Sequence, residues 1–447
     1  MKKTGFLCAW IFLSPLCFAL ESKTPSTGQQ LNINFLVRKE VLPNGLVVLL
    51  SEDRSSPMVS YHTWYKVGSR NENEGSTGLS HMLEHMMFKG AQKYSGAQFD
   101  QVLHENGMLN NAFTTYDYTG FYQSLPSSKL ELMMDIEVDR MSLLQLKSED
   151  LATEREVVKE ERRWRLENNP HAQLLEAVMA TLFRGLAYRW PIIGTVQDIQ
   201  NYSIEKLKSY YNTFYGPNNA VLVLVGDFDT DRTLGWIKKY YGALPQRPLP
   251  ENKAVKGVAQ TQAREVKIKA KITTPSLLVA YRTVPVSHQD TYALDLLSHV
   301  LTGGPSSRLY KKLVYEKQWA SAVIGSHSSL KEAGVFSLTA QLKPESDVNK
   351  VADFIYHELW KLRTLKISEK ELDRAKIAVL KSTVSALTSM DGKARSLAVN
   401  EILTGNYENL YSDLNKYQQV TVENILLVAQ KYLKPEQRTL AILEPEK

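Results

Sequence analysis

Residues 78–88 read Gly-Leu-Ser-His-Met-Leu-Glu-His-Met-Met-Phe, and the rest of the chain is best interpreted outward from this stretch. On a helix of about 100° per residue, His81, Glu84 and His85 fall in one narrow sector. Leucine and methionine cover most of the remaining circumference, which is typical of a buried helix whose polar stripe faces a cleft. The two histidines are one turn apart, so both can offer a ring nitrogen to one ion.

The order His-x-x-Glu-His is the inverse of the commoner motif of zinc-dependent hydrolases. Glu84 directly precedes the second histidine, where its carboxylate reaches a water beside the ion. The alternative interpretation is structural: two helical histidines and a glutamate that cap the helix or form ion pairs. The motif alone does not decide between these interpretations, and the remainder of the chain must do so.

Composition and charge limit the partners of this chain. The formal net charge is +6, and the loss of two lysines with a predicted signal segment would lower it to +4. This charge is too small to indicate a nucleic-acid partner, and no run rich in lysine and arginine occurs. The length of 447 residues predicts two or three domains, each with its own core.

The first nineteen residues resemble a bacterial secretory signal peptide. A basic start precedes an apolar core from Phe6 to Leu16, and small residues lead to a cleavage site after Ala19. This core is shorter than the roughly 20 apolar residues of a membrane span, so we expect a periplasmic mature chain with no transmembrane anchor. Cys17 leaves lipidation open, although the residues before it form a poor lipobox. Because Cys8 and Cys17 both lie in the signal, we expect no disulfide in the mature chain.

The remaining pattern predicts an α+β fold with two similarly built domains, each a mostly antiparallel sheet packed with helices. A flexible leader (20–33) precedes the catalytic domain (34–243). A stiff linker follows (244–264), because three prolines occur in nine residues at its start. The second domain (265–447) repeats the element order loosely and contains no second His-x-x-Glu-His.

Turn and strand signals surround the motif. Residues 71–78 form a predicted turn, in which Ser76 or Thr77 is placed to cap the following helix. Residues 109–119 and 121–126 are rich in threonine, tyrosine and phenylalanine and predict two strands. Most of these side chains are expected to pack in a sheet, and one strand could be an edge that pairs with an extended peptide.

A helix predicted over residues 149–168 carries many charged side chains, but only two of its carboxylates lie on the inward face. Glu154 lies about 20° from Glu161 on the helical wheel. The apolar residues that share this sector are Val157, Val158 and Trp164. Burying an unpaired charge costs several kcal/mol, on the order of a whole domain's margin of stability, so each carboxylate needs a cation. We expect Arg165 to compete for Glu154 and a divalent metal to be the partner of Glu161.

With the inverted motif, the carboxylate helix and the two-domain layout, the chain resembles the pitrilysin/insulinase family of zinc peptidases from about Val37 to the C-terminus. The most similar members are half-length bacterial proteins related to mitochondrial processing peptidase. The resemblance implies one Zn²⁺ per chain, with His81 and His85 as ligands and Glu84 as the catalytic glutamate. A Glu-Arg-x-Val-x-x-x-Glu match at residues 154–161 implies Glu161 as the third ligand and Glu154 as a supporting carboxylate.

Two further segments carry the resemblance. Asn111-Ala112-x-Thr114 is similar to the family's strand that holds the substrate backbone, which implies that Asn111 and Ala112 bind substrate. Residues 303–315 are similar to the family's Arg-x6-Tyr segment, which implies that Arg308 and Tyr315 contact substrate and stabilise the tetrahedral intermediate. The structural alternative is a surface pair beside a glycine cap. Pro305 departs from the more flexible residues of relatives and indicates a stiffer loop.

In this family a half-length chain forms half of a clamshell, and the arginine and tyrosine come from the facing half. The resemblance therefore implies a homodimer with two composite sites, or a heterodimer with a metal-free sister subunit; we favour the homodimer. The expected activity is hydrolysis of unfolded peptides by a zinc endopeptidase. The alternatives are a non-catalytic scaffold or chaperone-like subunit of the same fold, and a metal-dependent hydrolase of non-peptide substrates.

Overall fold

The structure is a computed structural model that describes residues 35–251 and 257–446. The predicted signal peptide (1–19) and leader (20–33), with Cys8 and Cys17, lie outside these residues. Part of the predicted linker also lies outside them. Among the helices of the two described ranges, none combines the length and apolar character that crossing a membrane requires.

The first sheet has six strands in the order β1-β2-β6-β3-β5-β4, so that β4 is an edge strand. The strands are β1 (Arg38–Val41), β2 (Val47–Glu52), β3 (Met58–Tyr65), β4 (Leu109–Thr114), β5 (Thr119–Pro126) and β6 (Ala220–Gly226). Neighbouring strands are antiparallel except β2 and β6, which run parallel. Strand β6 is apolar and buried throughout, as expected for a central strand covered on both faces.

Eight helices accompany the first sheet along the chain. They are α1 (Leu79–Met86), α2 (Gly96–Glu105), α3 (Leu130–Ser142), α4 (Ser148–Arg162), α5 (Pro170–Leu182), α6 (Val196–Asn201), α7 (Ile204–Phe214) and α8 (Thr230–Tyr241). A π-helical turn continues α4 through Glu167. Helix α1 packs on one face of the sheet through Met82, Leu83 and Met86, which are fully buried.

The second sheet repeats this topology without the first strand, in the order β7-β11-β8-β10-β9. Its strands are β7 (Arg264–Ala270), β8 (Ser276–Thr283), β9 (Ala320–Ser329), β10 (Gly334–Leu342) and β11 (Thr439–Pro445). Its helices are α9 (Asp290–Thr302), α10 (Val348–Thr364), α11 (Glu369–Ala386), α12 (Met390–Thr404), α13 (Asn409–Gln419) and α14 (Val422–Tyr432). The predicted α+β class, with two mostly antiparallel sheets packed with helices, is confirmed.

Each half of the chain lends one helix to the other half's sheet. Helix α5 packs through Leu174 and Val178 on the second sheet. Helix α12 packs through Leu397 and Ile402 on the first. The hydrophobic cores under α5 and α12 thus contain residues from both sides of the predicted domain bounds, 34–243 and 265–447. These bounds stay a prediction.

Candidate metal centre and active site

The start of α1 is fixed by a carboxylate rather than by the predicted hydroxyl cap. Helix α1 follows Gly78, which has a φ of +87°, and a Cβ there would lie 2.4 Å from the Ile193 carbonyl oxygen. Glu72 accepts hydrogen bonds from the backbone N–H groups of Gly78 and Ser80, at 2.5 and 2.8 Å. This glutamate satisfies two of the donors that a helix N-terminus leaves free.

The prediction that Ser76 or Thr77 caps α1 is wrong. Neither side chain caps the helix. The Thr77 hydroxyl and backbone N–H instead donate to Asp198 at 2.5 and 3.0 Å. Asp198 lies in the first turn of α6, more than a hundred residues downstream, so this contact ties the start of the histidine helix to a distant segment that local capping rules do not reach.

His81, His85 and Glu161 come together between α1 and α4. The Nε2 atoms of His85 and His81 lie 3.1 and 3.7 Å from Oε2 of Glu161. One ligand atom from each residue can be chosen so that all three lie within 4.8 Å of one another, and no other such trio of histidine, cysteine, aspartate or glutamate occurs in residues 35–251 and 257–446. The structure thus brings Glu161, which the helical wheel placed on the inward face of its helix, to the two imidazoles.

The chemistry of this trio fits zinc. A tetrahedral zinc site has bonds of about 2.0–2.1 Å, which puts its ligand atoms about 3.3 Å apart. The two spacings to Glu161, 3.1 and 3.7 Å, lie on either side of this value. Nδ1 of His85 lies 2.8 Å from the Glu154 carboxylate, so a proton there leaves the Nε2 lone pair free for an ion. His81 is 7% exposed, and its Nδ1 has no hydrogen-bond partner among the described residues. Apart from Glu161 near its Nε2, packing therefore orients the His81 ring.

Glu154 has two cationic partners, and neither is Arg165. Besides His85, the ammonium group of Lys89 contacts its carboxylate. The expectation that Arg165 competes for Glu154 is wrong, because Arg165 lies 3.0 Å from Glu161 instead. Burial alone would raise the pKa of Glu154, but hydrogen bonds from His85 and Lys89 outweigh it and lower this pKa.

The inward face of α4 is narrower than the wheel predicted. Val158 is buried, but Val157 is 47% exposed and Trp164 is 73% exposed. The residues that face the interior are Leu151, Glu154 and Val158. Glu161 lies at the border of this stripe, where a π-helical turn soon follows, and its side chain is 16% exposed.

Glu84 lies beside the trio with one oxygen held. Oε2 of Glu84 accepts a hydrogen bond of 2.6 Å from the Thr114 hydroxyl on the edge strand β4. Burial raises the pKa of Glu84, although this hydrogen bond partly offsets the effect. The second carboxylate oxygen is not committed to a described side chain, which is the arrangement that a proton acceptor needs.

The two imidazoles differ in protonation when only the protein's own groups act on them. Burial, and then the neighbouring His85, lower the pKa of His81 to about 4. Burial also lowers that of His85, but its contacts with Glu154 and Glu161 outweigh burial and raise the pKa to about 9. The cluster thus holds one cation of its own between two carboxylates, a position that a metal ion would take over.

A cavity of about 640 Å³ opens from this cluster to the edge of the first sheet. Asn111 and Ala112 line it from β4, and Leu175 and Met179 line the opposite wall from α5. Strand β4 pairs only with β5 among the described strands, so its other edge faces the cavity side of the sheet. The Asn111 side chain accepts from the backbone N–H of Ala112 at 2.8 Å.

Arg308 and Tyr315 do not line this cavity. Arg308 forms a two-pronged pair with Glu371, at 2.6 and 3.1 Å. Burial would raise the pKa of Glu371, but Arg308 and the start of α11 lower it to about 2. Tyr315 is 58% exposed on a π-helical segment, residues Tyr310–Glu316. Within one chain the structure therefore does not bring these two residues to the metal cluster.

Sequence reasoning missed hydrogen bonds from two arginines of α4 to residues 194–202, the segment whose Asp198 holds Thr77 ahead of α1. We call these arginine contacts the brace. Arg162 donates to the Gly194 carbonyl at 2.8 Å, and Arg155 donates to the Ile199 and Tyr202 carbonyls at 3.1 and 2.7 Å. These arginines are seven residues apart, and each directly follows Glu154 or Glu161. This spacing could have predicted the contacts, because it places the two arginines on one face of the helix, next to the face that carries the carboxylates.

Comparisons with known proteins match two models of one peptidase family and relatives named zinc proteases. The family model for insulinase (peptidase family M16) matches residues 47–196, and the model for the peptidase M16 inactive domain matches residues 201–379. The zinc protease PqqE of Helicobacter pylori is 30% identical over 411 residues, which span 90% of this chain and 92% of that protein. An uncharacterized zinc protease of Bacillus subtilis, YmxG, is 25% identical over 92% of this chain and 98% of that protein.

Solved structures show the same fold. The crystal structure of a protease from Helicobacter pylori has a TM-score of 0.87 and 29% identity, and it covers 92% of this chain and 100% of that one. The periplasmic protease PqqL from Escherichia coli has a TM-score of 0.77 and 20% identity over 92% of this chain but only 48% of that one. The chain thus matches half of the longer protein, as expected for a half-length member. It belongs to the insulinase family of peptidases, family M16.

Proposed function

We propose that this chain is a zinc-dependent endopeptidase that hydrolyses unfolded peptides or small polypeptides in a chamber formed by two chains. The observation that carries the proposal is the convergence of His81, His85 and Glu161 beside Glu84, in a cavity that reaches the free edge of a sheet. Relatives named zinc proteases support the metal and the reaction class. Export to the periplasm through a cleaved signal, residues 1–19, is part of the same proposal.

The donor set would hold one zinc ion through His81, His85 and Glu161. When bound, zinc would supply Lewis-acid polarisation of the scissile carbonyl and a more acidic water. Glu84 accepts the proton of the attacking water on its free oxygen and returns it to the leaving amine. Thr114 fixes the other oxygen of Glu84 by its 2.6 Å hydrogen bond, which limits rotation of the carboxylate. Glu154 holds the proton on Nδ1 of His85.

The substrate would add to β4 as an extra strand. Its backbone would pair with the free edge near Asn111 and Ala112, and its side chains would meet the apolar wall of α5. Strand addition requires an extended segment, so folded proteins are excluded unless they open. Strand addition at β4 would account for the position of the catalytic glutamate, which lies within reach of this edge strand.

The variant Glu84→Gln tests the reaction. We expect kcat on a peptide substrate to fall by at least about a hundredfold, because the proton acceptor is lost, while the zinc content stays at about one per chain. Glu160→Gln, an exposed change on α4, is the matched control and should retain full activity. Full peptidase activity of Glu84→Gln would refute the assignment.

The two-chain chamber has its own test. We propose that Arg308 and Tyr315 act on the site of the facing chain, in a homodimer or in a heterodimer with a metal-free sister. In a homodimer, mixing a Glu84→Gln chain with an Arg308→Gln chain creates mixed dimers with one intact composite site. Random assortment should restore about a quarter of the wild-type sites. If the mixture is no more active than its components, action across a homodimer interface is wrong.

The rival function is a non-catalytic scaffold or chaperone-like subunit. The family's inactive-domain model matches residues 201–379, which contain none of the metal donors, so both functions are compatible with this match. A scaffold has no need of the metal donors, so purified protein with no bound zinc and no metal-restored hydrolysis would support this rival. Stoichiometric zinc with peptide cleavage would exclude it.

A further inference from the structure

A second cavity, apart from the metal cluster, lies where four segments of the chain meet. It has a volume of about 570 Å³. Its walls come from residues 66–73 after β3, residues 185–190, residues 249–251 and the turn between β9 and β10, and Phe214 and Asn219 complete them. Because the first and second halves of the chain both contribute, we call it the junction cavity.

Four cationic side chains line the junction cavity, and two of them are arginines with carboxylate partners. Arg70 donates to Asp117 at 2.8 Å and to Glu332 at 2.6 Å. Arg189 donates to Glu74 at 2.7 Å. The charges of both arginines are therefore neutralised within the protein.

The two lysines of the cavity, Lys66 and Lys331, differ from the arginines. No described carboxylate forms an ion pair with either ammonium group, because the nearby Glu332 is bound to Arg70 and Glu401 is bound to Lys39. Both lysines are partly buried. Burial lowers the pKa of Lys66, and burial followed by the positive charges of Arg70 and Lys66 lowers the pKa of Lys331.

The other carboxylates of the cavity do not neutralise the two lysines either. Glu72 is occupied by the backbone N–H groups at the start of α1. Glu251 lies exposed at the rim. Two like charges withdrawn from water beside each other raise the free energy of the folded state. A counter-anion between them removes that cost.

We propose that the junction cavity binds a small anion bearing a phosphate or carboxylate group, held between the ammonium groups of Lys66 and Lys331. Lysine is suited to such groups as a compact point charge with three donors. The apolar side chains of Leu186, Phe214 and Leu249 form the rest of the wall and would contact the organic part of a larger ligand. The proposal is independent of the peptidase activity.

Isothermal titration of the full-length protein with inorganic phosphate, and separately with malonate, tests the site at constant ionic strength. We expect saturable binding of at least one of these anions. The double variant Lys66→Gln/Lys331→Gln should bind it at least tenfold more weakly. Lys208→Gln, an exposed lysine of α7 outside the cavity, is the matched control and should bind within twofold of the wild type.

Thermal unfolding gives a second readout. Phosphate or malonate should raise the melting temperature of the wild type more than that of the double variant. Where the double variant does not fold, Lys331→Gln alone replaces it, since this residue lies in a turn. Failure of both anions to bind saturably, or equal binding by wild type and variant, would overturn the proposal. Neither result bears on the Glu84 experiment.

Discussion

Each half of the molecule builds a polar cluster where two helices meet the edge strand of its sheet. In the first half α1 and α4 meet near β4, and in the second half α9 and α11 meet near β9. The sheets have the same strand order once β1 is removed, so the two clusters occupy equivalent places. Both contain histidine and carboxylate groups, yet only the first assembles donors for a metal.

The second cluster is closed by its own hydrogen bonds. His327 on β9 has a fully buried side chain. Its Nδ1 lies 2.7 Å from Asp295, and its Nε2 lies 2.9 Å from the Thr283 hydroxyl. Tyr417 donates to the other oxygen of Asp295 at 2.5 Å. Every polar group of this network has a partner within the protein.

In the first cluster, the ring nitrogens that face Glu161 are not closed into such a network of donors and acceptors. Nδ1 of His85 is satisfied by Glu154, but both Nε2 atoms point toward the same carboxylate. A hydroxyl can donate or accept and so completes His327 without an ion. Glu161 pairs with Arg165 but also faces both imidazole nitrogens, and a metal cation shared by these three groups would complete them. The same residue types thus give a structural network or a metal site according to what faces the second nitrogen.

The largest expected effect is a loss of bound zinc, which we expect from a change in the first cluster and not from the matched change in the second. Glu161→Ala removes one of three ligands, so bound zinc should fall from about one per chain to a small fraction after dialysis, and activity should be lost. Asp295→Asn, the matched change in the second half, should leave zinc unchanged. Metal analysis of both purified variants measures this. Zinc loss in Asp295→Asn would show that the second cluster supports the metal.

The next effect concerns the carboxylate behind His85. Glu154→Gln keeps the shape of the side chain but weakens the hydrogen bond that orients the ring, so zinc affinity should fall by about 10–100-fold. Tyr417→Phe removes the equivalent support in the second cluster and should lower only the free energy of unfolding, by about 1 kcal/mol. Competition with a chelator measures the first, and urea denaturation the second. Equal zinc affinity of Glu154→Gln and wild type would contradict this role.

Most of the fold and the metal cluster followed from local periodicity. The spacing of His81, His85 and Glu161 places each side chain on a helix face, and helix faces are set within a few residues. Two helices, α6 and α13, escaped prediction. Helix α13 is mostly polar and buries only Leu410 and Leu414, so few apolar residues mark it in the sequence.

What sequence reasoning missed depends on long-range contacts. Asp198, 121 residues downstream, takes up the Thr77 hydroxyl that local rules assign to the cap of α1. Glu72 caps the helix because the short turn between them folds back onto its first residues. The exposure of Trp164 arises from the way α4 lies on its neighbours, which a helical wheel does not contain. The exchange of α5 and α12 between the sheets likewise has no local signal.

A smaller effect is expected from the brace, which has no described counterpart in the second cluster. Arg162→Gln removes the hydrogen bond to the Gly194 carbonyl, and charged hydrogen bonds contribute about 1.5–3 kcal/mol. Zinc affinity should fall less than tenfold, because Glu161 itself is retained. Arg163→Gln is the control: Arg163 is an exposed partner of Glu160 on the same helix, and its loss should change stability by less than about 0.5 kcal/mol. Equal effects of the two changes would argue against the brace.

The smallest expected effect concerns the contacts that hold α12 on the first sheet and α5 on the second. Helix α12 is fastened to the first sheet by an ion pair of 2.6 Å between Lys393 and Asp53. The hydrogen bond from Lys393, with one from Ser55, lowers the pKa of Asp53 from 3.8 to about 2. Helix α5 is instead held on the second sheet by apolar contacts, by a hydrogen bond from Arg264 to the Thr181 carbonyl, and by one between His171 and Ser276. Of the contacts named for the two helices, only that of α12 contains a carboxylate.

Because the pKa of Asp53 is lower in the folded state, its stabilisation is present above pH 3.8 and is lost as the pH falls toward about 2. Asp53→Asn should thus cost about 1 kcal/mol at neutral pH, as expected for a partly solvated pair, and the difference from wild type should vanish near pH 2. Urea denaturation across this range measures it, with Glu160→Gln as a surface control. A constant difference at all pH values would mean that the Asp53 contact acts through its shape rather than through its charge.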